Sequence, residues 1–277
     1  MRRIDAHHHL WTYSEAEYGW IGDDMAGIRR DFLVPQLRET LAGSGIEAAV
    51  TVQARQSMEE TRWLLDLAKD EPVMAGVVGW APLVEPQIAG ILEEFAAAPK
   101  LVGLRHVLQG EAEKGWMLRP EFGRGLRELE RRGLCYDLLI LSHQLGEAIE
   151  LVDRHPGLSF VLDHVAKPRI KAGDLEPWSS ELRELARRPH VSCKISGMVT
   201  EADLRHWTEA QLTPYIETCM EAFGPKRLMF GSDWPVCEAA CAHARWVQVL
   251  ERQTSTLSAD ERAAFWGGTA TRIYGLD

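Results

Sequence analysis

Arg3-Ile4-Asp5-Ala6-His7-His8-His9-Leu10-Trp11 stands almost at the start of the chain. A short apolar run ends in three consecutive histidines, and His7 and His9 are spaced His-x-His. In an extended strand successive side chains alternate between faces, so His7 and His9 share one face and His8 takes the other. Two imidazoles side by side at a strand end can hold a metal or polarise a carbonyl. The run passes straight into Leu10-Trp11 without a linker, which sets it apart from a purification tag. His8, on the opposite face, is expected to be structural.

Outward from this strand, short β-branched or apolar runs recur at 3–8, 48–53, 73–79, 101–106, 134–140, 158–164, 191–196 and 227–232. Helix-length segments separate them. Eight strands alternating with helices predict an α/β fold, a single (β/α)8 TIM barrel spanning residues 1–277. The competing open doubly wound sheet lacks support, because no Gly-x-Gly-x-x-Gly follows the first strand. Ser57-Met58-Glu59-Glu60 and Ser258-Ala259-Asp260-Glu261 read as capping boxes, the second opening a terminal helix through Phe265 and Trp266. Pro35, Pro86, Pro120 and Pro177 fit first-turn positions, and Pro156 and Pro189 follow helix ends.

In such a barrel the active site lies at the C-terminal ends of the strands. Polar residues gather there repeatedly. The second strand runs into Gln53-Ala54-Arg55-Gln56, the third into Trp80, and the fourth into Arg105-His106 with Gln109 beyond. The fifth contains Asp137 and precedes Ser142-His143. The sixth ends in Asp163-His164 with Lys167 beyond, the seventh carries Lys194 and Ser196, and the eighth ends in Gly231-Ser232-Asp233-Trp234-Pro235. Singly, each has a plain structural explanation; together at one rim they point to an enzyme.

Composition narrows the class. A net charge of -10 without a basic run argues against nucleic acid and anionic membrane as partners. Five cysteines without zinc-knuckle spacing or a secretory signal fit a reducing cytoplasm. Cys237 and Cys241, four residues apart, are expected to share a helix face.

The motifs Ile4-Asp5-Ala6-His7-His8-His9-Leu10-Trp11, Gly103-Leu104-Arg105-His106, Leu162-Asp163-His164-Val165-Ala166-Lys167-Pro168, Lys194-Ile195-Ser196-Gly197 and Phe230-Gly231-Ser232-Asp233-Trp234-Pro235 resemble the amidohydrolase superfamily. The likeness is to its sugar-lactonase branch, the L-fuconolactonase and L-rhamnonolactonase type, and it spans the whole chain. It implies hydrolysis of a sugar-acid lactone, with Asp233 activating a water and His7, His9 and His164 polarising the carbonyl. It also implies substrate contacts from Arg105, His106, Lys194, Trp20, Trp80 and Trp234. Two-metal relatives add a carboxylated lysine or glutamate on the fourth strand and a histidine on the fifth. Arg105-His106 and Asp137 stand there instead, so a two-metal site is not expected. His7, His9 and Asp233 would hold one divalent metal, zinc foremost, which several members of the branch do not require. No organic cofactor is implied.

Two alternatives share the architecture. One is a metal-dependent decarboxylase of the aminocarboxymuconate-semialdehyde type; the other is a pyrone-dicarboxylate lactonase or similar ester hydrolase. The expected partner is a small lactone and the expected assembly a monomer or homodimer. The segment from Trp11 to Asp24, carrying Tyr13, Tyr18 and Trp20, reads as a lid or a packing loop.

Overall fold

In the computed structural model, which describes residues 2–277, eight parallel strands pair in chain order. They are β1 (Ile4–His8), β2 (Ala48–Val52), β3 (Met74–Gly79), β4 (Leu101–His106), β5 (Cys135–Leu138), β6 (Phe160–Leu162), β7 (Val191–Ile195) and β8 (Leu228–Phe230). The sheet closes just past β8. There His8 bridges Trp234, the His9 amide donates to the Trp234 carbonyl at 2.7 Å, and the Asp233 amide donates to the His7 carbonyl at 2.8 Å. The architecture is the expected (β/α)8 barrel.

The strands read as near-continuous apolar runs because both faces of a parallel barrel are buried. Ile4, Ala6, Val50, Val52, Val78, Val161 and Met229 fill one cluster. The other face of each strand packs on the helices, as Leu104, Tyr136, Phe160 and Ile195 do. β5, β6 and β8 are shorter than the sequence suggested, because residues 139–140, 163–164 and 231–232 already turn away from the ladder.

The helices are α1 (Val34–Gly43), α2 (Met58–Lys69), α3 (Ile88–Glu93), α4 (Pro120–Arg132), α5 (Leu145–Asp153), α6 (Trp178–Ala186), α7 (Met198–Glu201), α8 (Glu209–Phe223), α9 (His243–Gln253), α10 (Ala259–Ala263) and α11 (Thr269–Tyr274). Their punctuation largely follows the sequence. Pro35 and Pro120 occupy first-turn positions, whereas Pro86 precedes the cap of α3 and Pro177 is itself the cap of α6. Ser258 and Glu261 form a full capping box. Ser57 caps α2 as expected, but Glu60 does not close the box. Its carboxylate accepts from the Ala54 and Arg55 amides at 3.0 and 2.8 Å, because the chain bends there to leave β2.

The terminal helix also departs from expectation. α10 stops at Ala263, a wide turn carries Phe265 and Trp266, and α11 resumes at Thr269. Ala270, Tyr274 and Leu276 then pack into the cluster of Ile4, Val50 and Met229, so the C-terminus buries apolar side chains against the barrel strands. Cys237 and Cys241 lie on a single tight turn rather than a regular helix, and all five cysteines are free and buried. Among the described residues no helix is long and apolar enough to cross a membrane.

Candidate active site

β1 sets the site's geometry through an irregularity. Its pairing with β2 slips between Asp5 and His8. Asp5 then faces away from His7, accepting from the Ser232 amide at 2.8 Å and meeting His243 Nε2 of α9 at 3.2 Å. His8 points out between the strands, with Nε2 2.8 Å from Thr51 Oγ1. Burial holds the His8 imidazole down at about 4, so it is neutral and structural in position, as its place on the strand predicted. His7 and His9 come together, their Nε2 atoms 3.2 Å apart.

His164 reaches the same place by an unusual path. After β6 the chain runs through His164, Val165, Ala166 and Lys167, all with φ between +48° and +60°. A left-handed backbone is costly for such residues, above all for β-branched valine, and the surroundings must hold it. Trp178 donates from Nε1 to the Val165 carbonyl at 2.7 Å, and His164 Nδ1 lies 2.9 Å from Ser196 Oγ. The His164 ring then sits 4.4 Å from that of His7. Asp233, itself at φ +59°, places Oδ1 3.3 Å from His9 Nε2, 3.8 Å from His7 Nε2 and 3.9 Å from His164 Nε2.

Charge follows from burial. Desolvation pulls the His7 imidazole well below its usual range and His164 down to about 4, so both are neutral near pH 7. Burial alone would raise the Asp233 carboxyl, but the facing His164, His9 and His7 hold it well below the usual carboxylate range. The centre is one ionised carboxylate among three imidazoles.

Asp233, His9 and His164 floor a cavity of about 300 Å³, and His7 is fully buried beside them. His9, His164, Asp233 and Arg105 line it, with Trp20 at the mouth and Gln56, Gln109, Lys167, Val107, Leu139 and Val236 around it. Several expected substrate contacts are elsewhere. His106 follows Arg105 on β4 and so faces away, where it stacks on Trp116 and pairs with Glu111 at 2.7 Å. Trp80 donates to His106 Nδ1 at 3.3 Å. Trp234 is buried edge-on against Phe32, its indole N–H on Glu238. Lys194 is fully buried below the histidines, ion-paired to Asp137 and, at 2.9 Å, to Asp163 Oδ1.

Asp163 is the residue that sequence reasoning left without a role. It joins Arg105 at 3.0 Å, Lys194 and His7 Nδ1 at 3.3 Å. Burial would raise its carboxyl; Lys194, His7 and Arg105 together hold it well below the usual range. Its position beside His164 at a strand end was the available signal.

The amidohydrolase family profile matches residues 4–276. The chain belongs to the amidohydrolase family. It is 44% identical to an L-fucono-1,5-lactonase of Burkholderia multivorans, over 99% of this chain and 96% of that one. It is 35% identical to an L-fucono-1,5-lactonase of Burkholderia ambifaria, over 99% and 96%. A crystal structure of a Burkholderia multivorans amidohydrolase with bound zinc superposes with a TM-score of 0.97, at 41% identity and covering all of both chains.

The donor set of this amidohydrolase fits such an ion. His7, His164 and Asp233 each offer a ligand atom within 4.8 Å of the others, and His9 adds a fourth. Tetrahedral zinc with bonds of about 2.0–2.1 Å has ligand-to-ligand edges of about 3.3–3.4 Å. Among His7, His9 and Asp233 the separations of 3.2, 3.3 and 3.8 Å bracket those edges, while His164 Nε2 stands farther off, 3.9 Å from Asp233 Oδ1. His9 donates from Nδ1 to the Val52 carbonyl at 2.8 Å, which orients the ring and leaves its Nε2 lone pair free for the site.

Proposed function

We propose that this protein hydrolyses a sugar-acid lactone, an aldonolactone of the L-fucono- or L-rhamnono- type, to the open aldonic acid. The observation that carries the reading is the ionised Asp233 facing His7, His9 and His164 at the floor of a cavity sized for one sugar ring, which Asp233, His9 and His164 line. The family and the two lactonase relatives support the substrate class.

In this reading Asp233 takes a proton from a water as it attacks the lactone carbonyl. His7 and His164 stabilise the charge that develops on the carbonyl oxygen, and His9, its Nδ1–H held by the Val52 carbonyl, sets its Nε2 3.3 Å from Asp233 Oδ1. The proton held by Asp233 then passes to the departing ring oxygen. Arg105, fixed by Asp163 and by donation from Nη2 to the Gln53 carbonyl at 2.6 Å, presents a rigid cation to the substrate's oxygens. Trp20 offers an aromatic face for the C–H side of the ring. His7, His9 and Asp233, with His164 beside them, would hold a divalent cation, which when bound supplies Lewis-acid polarisation of a carbonyl.

A pH-indicator screen against a panel of aldonolactones, run with and without chelator, tests this. Acid release on at least one member, lost by orders of magnitude in Asp233→Asn with the fold intact, is the expected result. Near wild-type turnover in Asp233→Asn sinks the assignment of the base. Carbon dioxide release from an aromatic or semialdehyde acid, abolished by chelator, would replace the lactonase reading with a decarboxylase.

A further inference from the structure

A second cavity, of about 350 Å³, lies between α4 and α5 and shares no lining residue with the catalytic one. Arg119, Arg127, Arg154 and His155 line it, and no carboxylate does. That lining stands out on a chain with a net charge of -10.

His155, just past α5, is 4% exposed, and its imidazole has no hydrogen-bond partner among the described residues. Buried polar side chains are ordinarily paired. The His155 ring faces Gly123 of α4, where a Cβ would lie 3.3 Å from His155 Nε2 and 3.8 Å from Arg127 Nη1. The absent side chain leaves a recess between an imidazole and a guanidinium. Burial first, then the Arg127 charge and more weakly that of Arg154, hold the imidazole below its usual range. Glu130 acts the other way, but it lies against Gly157 and does not line the cavity.

The cations keep donors to spare. Arg131 and Arg132 on the same helix pair with Glu128, whereas Arg127 meets no carboxylate among the described residues. Arg119 pairs with Glu113 and Arg154 with Glu150, single contacts from guanidiniums that carry five N–H donors each. Arg154 also donates from Nη1 to the Leu118 carbonyl at 3.0 Å, which fixes it at the cavity wall. α4 starts here too, with Pro120 first and no side-chain cap from Arg119. The Gly123 amide donates to the Arg119 carbonyl at 3.1 Å and opens the helix ladder, so the positive end of a 13-residue helix lies at the cavity.

We propose that this cavity binds a phosphate group, held by Arg127 and His155 with Arg119, Arg154 and the start of α4 around it. Three guanidiniums, an imidazole and a helix end offer more N–H groups than the two oxygens of a carboxylate can accept. The oxygens of a phosphate point in several directions and suit donors arriving from several elements. Inorganic phosphate and a small phosphate ester share this chemistry.

The full chain, labelled with nitrogen-15 at histidine and kept in chelator, is titrated with inorganic phosphate, glycerol phosphate and acetate at constant ionic strength. The His155 signals, identified by their loss in His155→Asn, should shift and saturate at millimolar phosphate, and acetate should not reproduce this. Tighter binding of glycerol phosphate would identify an ester as the ligand and tighter inorganic phosphate the free ion; either supports the site. Arg127→Gln should weaken phosphate about tenfold, the loss of one charge-assisted hydrogen bond. Gly123→Ala, which suits a helix but fills the recess, should weaken it to a similar degree. His155 signals that stay still, acetate binding as tightly as phosphate, or unchanged affinity in Arg127→Gln each overturn the proposal. So do shifts confined to other histidines, which place the phosphate elsewhere. If neither variant folds, the wild-type titration against acetate still decides.

Discussion

Arg105 Nη1 donates to Asp163 Oδ2 at 3.0 Å, and both side chains are buried. Asp163 is also the neighbour of Lys194 and His7, so one carboxylate ties together both cations, Arg105 and Lys194, that support the catalytic floor. Removing a partner from a buried pair costs far more than losing an exposed one, because the remaining charge has no water to solvate it. Asp163→Ala should destabilise the protein by about 3–5 kcal/mol in urea unfolding. A loss below about 1 kcal/mol, typical of exposed pairs, would show that Asp163 contributes little there.

Gly197 stands at φ +63°, and a Cβ built on it would lie 2.6 Å from His164 Nδ1. Gly133 has a similar φ of +67°, but a Cβ there meets nothing within 4 Å. Both alanine variants carry the left-handed penalty of about 1–2 kcal/mol. Only Gly197→Ala pushes the imidazole off Ser196 and out of line with Asp233. It should lower kcat/KM by about a hundredfold, as a misplacement of about 1 Å does, while Gly133→Ala leaves kcat/KM unchanged. Equal kinetics in the two variants would show that the His164 position is not critical.

The barrel is legible because its strands are buried on both faces and so stand out as apolar runs between helix-length segments. The site is legible in part, since His7, His9, His164 and Asp233 all lie at or just beyond strand ends and the structure gathers them. What a rim position cannot tell is where a side chain points. Arg105 and His106 are consecutive on β4, and strand alternation already forbids both from facing the cavity. Lys194 required knowing that Asp137 and Asp163, distant in sequence, come together beside it. The slip in β1 that turns Asp5 toward His243 has no sequence signature.

Acid should reveal the buried neutral histidines. For His8 the folded value of about 4 lies below an unfolded value near 6.5, so between these pH values only the unfolded chain binds the proton. Stability from this group is therefore fully present above about pH 6.5, falls as pH drops toward 4, and levels below. His164, also at about 4, acts in the same direction. Glu60, pushed up to about 7 chiefly by burial, acts oppositely, losing stability as pH rises from its unfolded range to 7. The whole-protein profile mixes these signs, so the difference between wild type and His8→Asn is the informative quantity. That difference should change by roughly 3 kcal/mol between pH 6.5 and pH 4, wild type losing more. Parallel stability curves for the two proteins would refute a neutral buried His8.

Trp20 is 49% exposed at the cavity mouth and rests edge-on against buried Trp11, their ring centroids 6.1 Å apart. Its segment is tied down by an ion pair between Glu17 and Arg55, the latter from the loop after β2. A large aromatic ring left half in water beside a sugar-sized cavity offers its free face to a ligand, at a distance from the reacting carbonyl set by its place at the mouth. Contact there should act alike on bound lactone and transition state, which is uniform binding. Trp20→Ala is therefore expected to raise KM about tenfold, the equivalent of about 1.4 kcal/mol of stacking, with kcat within about twofold of wild type. Trp20→Phe should recover most of the loss, and neither variant should shift the unfolding midpoint much, because little of the core depends on this ring. A fall in kcat at unchanged KM would contradict this and place Trp20 in the chemical step instead.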